Sequence, residues 1–188
     1  MQVSPIDRLP SLDPDIRSRA AEELFQAARD LMAPILAAWR RDADLSALLR
    51  LTNPAITAGV AVLPENFEKI RTANGNPKLA QVPPDQDARE FELHFGERVH
   101  LDILTTKDPH GNGSIARFLR KFGEGIQQVE IETIDCDQAT NRIRSAFGVE
   151  PIYPATRPGA DGTHVNFFLA SRPDDRKILV EFVEKTST

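Results

Sequence analysis

One order of secondary structure runs through this chain twice, and that repeat limits the folds open to it. From Gly123 to Glu184 the order is strand, helix, strand, strand, strand. Ile126-Gln127-Gln128-Val129-Glu130-Ile131 alternates as a strand, Asp135-Cys136-Asp137 opens a short helix to Phe147, and Gly148 stops it. His164 to Ala170 and Lys177 to Glu184 follow as strands joined by the turn Arg172-Pro173-Asp174-Asp175. Residues 56 to 104 read as a diverged copy, with a strand from Ile56 to Val62, a helix from Glu65 to Arg71, and Arg89–Phe95 paired through Gly96-Glu97 with Val99–Leu104. Both copies end in an acid between apolar residues, Leu101-Asp102-Ile103 and Val180-Glu181-Phe182. Paired units of this kind each curl into a half-barrel and share one cavity.

A chain of 188 residues that is 40% hydrophobic can bury one ordinary core, or two small ones that share an interface. The net charge of −5 argues against a nucleic-acid partner, which calls for clustered Lys and Arg, and Arg40-Arg41 with Arg117, Arg120 and Lys121 are too scattered. Met1 to Pro5 lacks a charged start followed by an apolar run, and no window is long enough for a membrane span, so a cytoplasmic protein with no membrane partner is expected. The single cysteine, Cys136, excludes an internal disulfide and reads as structural.

Ahead of the repeat, Asp13-Pro14 reads as a helix cap with proline at the first position. Ile16, Ala20, Leu24, Ala27, Leu31 and Ile35 follow at helical spacing. Pro34 predicts a kink or break, with a second short helix over Leu45, Leu48 and Leu49. This apolar stripe packs on the chain's own sheet, the preferred reading, or on a second copy; a homodimer is expected.

Side chains alternate along a strand, so Gln128, Glu130 and Glu132 share one face while Gln127, Val129 and Ile131 share the other. If Gln128 faces the cavity, Glu130 does too. There, beside Gly59, Ala61 and apolar groups, its carboxyl would be desolvated and suited to proton transfer near neutral pH. The bland alternative is a solvated strip of Glu130 and Glu132. The same parity sets His100 beside Asp102 and His164 beside Asn166, while His94 and His110 read as surface residues.

Three stretches carry a resemblance to a known family: Ser114-Ile115-Ala116-Arg117-Phe118-Leu119 running into Gly123-Glu124-Gly125-Ile126, then Arg157 to Thr163, and Ile178-Leu179-Val180-Glu181. Over roughly residues 54 to 186 the chain resembles the vicinal oxygen chelate superfamily, the glyoxalase and bleomycin-resistance group, and within it methylmalonyl-CoA epimerases. The resemblance implies a divalent metal in the cavity, held by a histidine from each opening strand and an acid or amide from each closing strand. At those positions stand Thr57, Gln128, Asp102 and Glu181, and Gln81 stands before Val82-Pro83 where the epimerases tend to carry an acid/base glutamate. Neutral oxygen donors hold zinc or nickel poorly and suit Mg²⁺ or Mn²⁺ better, so the cofactor is a weakly held divalent metal anchored by Asp102 and Glu181 or, as preferred, none. Arg157, in a loop that in this fold lies near the cavity mouth, could clamp a carboxylate or phosphate or be a solvated turn residue.

The expected fold is α+β, two βαβββ units (54–122 with a linker helix, and 123–188) forming one cupped sheet, preceded by a helical extension over 1–53. The expected function is an isomerase or lyase acting by proton transfer next to a carbonyl on a small acid or its CoA thioester. Glu181 and Glu130 are the catalytic candidates, and Gln128, Thr57, His100, Gln81 and Arg157 would contact the small-molecule substrate. Two alternatives stay open, a non-catalytic protein of the same fold that sequesters a small molecule and a divergent methylmalonyl-CoA epimerase.

Overall fold

A computed structural model describes residues 4–51, 55–171 and 177–185; the turn expected over 172–175 lies outside them. The extension forms α1 (Pro5–Arg8), α2 (Pro14–Trp39) and α3 (Ala43–Leu48). The first unit holds β1 (Thr57–Ala61), α4 (Pro64–Ala73), β2 (Arg89–Phe95) and β3 (Val99–Thr105), and α5 (Ser114–Phe122) links it to the second. The second holds β4 (Gly125–Glu132), α6 (Cys136–Phe147), β5 (Arg157–Pro158), β6 (His164–Ser171) and β7 (Lys177–Glu184).

The strands form one mixed sheet in the order β2-β3-β1-β4-β7-β6-β5. Within each unit the opening strand lies parallel to the closing one, β1 with β3 and β4 with β7, and the units join where β1 runs antiparallel to β4. The first copy is thinner than the second. Residues 77–84 touch β2 through one backbone bond, Ala80 N–H to Glu90 C=O at 3.0 Å, because Pro77, Pro83 and Pro84 cannot donate to a ladder.

Alternation decides the faces. Ala58 and Val60, Phe91 and Leu93, Leu101 and Ile103, Val129 and Ile131, and Val180 and Phe182 point into one core, in which Trp39 meets Phe182 edge-on at 5.7 Å. α2 covers this convex face, burying Leu24, Phe25, Ala28, Met32, Ile35, Leu36 and Trp39. Its Asp13 cap accepts the Asp15 N–H at 2.9 Å. Ala28 replaces the expected Ala27, which is exposed, and Ile16 and Leu31 are only partly buried.

Pro34 does not break the helix. It forgoes one backbone bond, and the buried residues on both sides of it hold α2 on the sheet. α3, capped by the Asp42 carboxylate on the Leu45 N–H at 2.9 Å, forms where expected; Arg142 of α6 then pairs with Asp42 at 2.6 Å and ties the extension to the second unit. Asp135 caps α6, and Gly148, left-handed at φ 64°, ends it. Cys136 is buried there, its thiol pushed up to about 11 by desolvation. On the concave side α5 closes one end of the sheet, covering Ala61 and Leu104 with Ile115 and Leu119.

Candidate active site

The concave face of the sheet forms the wall of a cavity of about 1210 Å³. Two rows of paired residues cross its floor. In the first, Gly59 of β1 lies between Asp102 of β3 and Gln128 of β4; in the second, Thr57 pairs with Glu130, Glu130 with Glu181 of β7, and Glu181 with Phe167 of β6. The sequence-derived candidates Thr57, Asp102, Gln128, Glu130 and Glu181 therefore come together from four strands that are distant in the chain. A Cβ on Gly59 would meet Gln128 Cγ at 2.4 Å, so the glycine is what lets the Gln128 side chain fold over β1. Gln128 Nε2 then donates to Glu181 Oε2 at 2.5 Å.

A register shift opposite Gly59 and Val60 sets two residues of β4, Gln127 and Gln128, against one interval of β1. Strict alternation assigned Gln127 to the core face. The bulge instead turns it to the cavity, where its Oε1 is buried without a hydrogen-bond partner.

Carboxyl groups crowd the floor, and sequence reading missed one of them. Glu90 of β2 faces the cavity with Glu92, while Phe91 and Leu93 face the core. Burial, and then the charges of Asp161 and Glu92, raise the Glu90 carboxyl to about 7. Burial, and then Glu90 and Glu92, raise Glu130 to about 8 although Asp102 and Gln128 partly offset this by hydrogen bonding. Glu130 is half-buried as a residue, but its Oε1 is fully buried. Asp102 and Glu181 lie well above the ordinary carboxylate range, chiefly because burial removes water. The Asp102 and Glu130 carboxyls also act on each other, which raises Asp102 further and lowers Glu130 in part. The cavity is thus less apolar than expected, with Ala61 under α5 and acids in its place.

Other candidates fall at the rim or outside. His100 lines the cavity but is half-exposed and stacks on His94 at 4.2 Å, with its ring lowered below the usual range by desolvation and then by His94. Arg157 lies on β5 rather than in a loop, paired with Asp85 at 2.7 Å and set over the Tyr153 ring at 4.6 Å. Gln81 is exposed and not part of the cavity wall; its backbone N–H donates to the Asp161 carboxylate at 2.9 Å and its C=O accepts from the Asp161 N–H at 3.1 Å. His164 is exposed, and Asn166, on the convex side, donates to Tyr153 C=O at 3.2 Å. Glu132 meets Arg50 and Lys185 at the mouth, at 3.1 and 3.0 Å.

The residues at the positions the resemblance gives to metal ligands do not fit a metal. Among the described residues no three His, Cys, Asp or Glu side chains are grouped so as to hold an ion, and Gln128 directs an N–H donor, not its oxygen, at Glu181.

Paired βαβ units that cup a cavity between two parallel strand pairs are the fold of the vicinal oxygen chelate superfamily. No protein-family model and no curated protein matches the chain. Solved structures do. It is similar to methylmalonyl-CoA epimerase from Mycobacterium tuberculosis, with 29% identity and a TM-score of 0.55 over 70% of this chain and 87% of that one. A methylmalonyl-CoA epimerase in complex with methylmalonyl-CoA and NH4+ matches with 25% identity and a TM-score of 0.56, over 74% and 96% of the two chains. An epimerase variant from Streptomyces coelicolor, in complex with 2-nitronate-propionyl-CoA, shares the fold at 23% identity and a TM-score of 0.58, over 75% and 97%. Among the described residues, no helix is long and apolar enough to cross a membrane.

Proposed function

We propose that this protein is an isomerase, of the epimerase kind, that moves a proton next to the carbonyl of a small acid or its thioester. The observation that carries the reading is the group of Asp102, Glu130, Gln128 and Glu181 on the cavity floor, where Gln128 bonds Glu181 and burial raises all three carboxyls above their ordinary range. Abstracting a proton next to a carbonyl needs a base stronger than an ordinary carboxylate, and returning it needs an acid in the same site. Glu130, beside the Asp102 carboxyl, takes the proton as the C–H bond breaks, and Glu181 supplies one to the carbon. The electron pair passes to the carbonyl oxygen, which the second N–H of Gln128 Nε2 and the Thr57 hydroxyl stabilise.

The likeness to epimerases, one of them in complex with a CoA thioester, supports a thioester substrate, and the finer reading is a divergent methylmalonyl-CoA epimerase. The test is deuterium incorporation next to the carbonyl of short acyl thioesters in heavy water, followed by NMR. The intact protein is expected to catalyse incorporation, with Glu130→Gln and Glu181→Gln each slowing it at least about 100-fold while binding persists. Variants that exchange as fast as the parent would rule the two-carboxylate mechanism out.

A further inference from the structure

We infer that the ligand of this cavity presents a positively charged group, an ammonium or its equivalent, to the floor rather than the carboxylate of a dicarboxylic acyl group. The inference rests on the isomerase reading in taking a thioester as the ligand's frame, and it departs from the methylmalonyl-CoA reading, whose acyl group carries a carboxylate. Glu90, Asp102, Glu130 and Glu181 reach the floor from four strands, and among the described residues none of them has an ion pair, while Glu92, exposed further along β2, meets His94 at 2.9 Å. The cations of the cavity lie at its rim and are engaged there, Arg157 by Asp85, and Arg50 and Lys185 by Glu132. Arg117, also at the rim, donates to the Asn112 carbonyl at 2.9 Å, and Lys78 completes the set.

Two acceptor atoms strengthen the case independently of charge. Glu130 Oε1 and Gln127 Oε1 are buried and have no hydrogen-bond donor, and the bulge that turns Gln127 to this wall adds an oxygen where a strict alternation would have left none. A buried acceptor without a donor is costly, and a donor-rich cation relieves that cost. Phe167, paired with Glu181 and half-buried in the wall, offers an aromatic neighbour of the kind that cations favour. A carboxylate placed on the floor would meet acids on every side, while Lys78 and Arg117, the cations of the wall without a carboxylate partner among the described residues, are exposed at the rim; an ammonium takes the place of the protons these acids share.

Three N-acetylcysteamine thioesters of equal acyl length separate the cases: β-alanyl with a terminal ammonium, butyryl with a methyl, and succinyl with a carboxylate. By calorimetry near neutral pH, β-alanyl is expected to bind about tenfold or more tighter than succinyl, with butyryl between them. Its binding should release protons, so its affinity should rise from about pH 6 to about pH 8 as the acids ionise. Glu90→Gln and Glu130→Gln should each narrow the β-alanyl preference, with circular dichroism reporting that the variants are folded. Succinyl binding as tightly as β-alanyl, or no binding of β-alanyl by the intact protein, would overturn the inference. If β-alanyl binds but never exchanges its proton, the isomerase reading fails and this inference stands. If succinyl binds better and exchanges, the reverse holds.

Discussion

Gly59 occupies the one place on β1 where a side chain would collide with the catalytic candidates, since a Cβ there would meet Gln128 at Cγ, 2.4 Å away, and Cδ, 3.3 Å away. Gly59→Ala is expected to push Gln128 off Glu181 and to cost about 1–3 kcal/mol of stability, read as a lower melting temperature together with weaker thioester binding. Glu130 makes a second test at this scale. Its carboxyl binds a proton more tightly in the fold than in the unfolded chain, so its contribution is favourable below the ordinary value of about 4.5 and is lost as pH rises towards about 8. Glu130→Gln keeps the shape without the charge. It is expected to stabilise the protein by about 1–2 kcal/mol at pH 8, a rise of roughly 2–8 °C, and to change little near pH 5. Thermal melts at the two pH values check it. Glu130 was legible in the sequence because parity ties it to Gln128. Glu90 was not, because Arg89-Glu90-Phe91-Glu92 reads equally well as a strand with a solvated charged face until the cup closes over it. The turning of Gln127 was hidden for another reason: a bulge is a property of pairing between β1 and β4, and neither strand alone records it.

α2 is the element on which the sheet's convex face depends, because Leu24, Phe25, Met32, Ile35 and Trp39 bury against strands of both units. Removing residues 1–50 is expected to expose that apolar face and cause aggregation or self-association, with a lower melting temperature. Light scattering and a thermal melt decide it, and a truncated protein of unchanged size and stability would contradict it. The start of this helix was readable from Asp13-Pro14, since capping is local chemistry. Its passage through Pro34 was not, because the packing that holds it comes from strands more than twenty residues downstream. The first unit has the opposite explanation: it forms no strand over 77–84, and the reason was in view in Pro77, Pro83 and Pro84, but the repeat argument lent it the form of the fuller copy.

At the scale of the molecule, the site exists because the two units share one sheet. Joining β1 to β4 brings Asp102 and Glu90 from one unit next to Glu130 and Glu181 from the other, and no local motif contains more than one of the four. The closing acids Asp102 and Glu181 stood out as a repeat. Their consequence, a floor of acids that hold protons near neutral pH, depends on burial that only the closed cup supplies. The most direct measurement is a pH titration of the glutamate side-chain carboxyl carbons in the folded protein by ¹³C NMR, with Glu90→Gln and Glu130→Gln used to assign the signals. The predicted result is a midpoint near about 7 for Glu90 and about 8 for Glu130, with Glu181 also displaced upward and each substitution lowering the acids that remain. If every glutamate titrates within about one unit of 4.3, the floor holds no protons at neutral pH and the proton-transfer site does not exist.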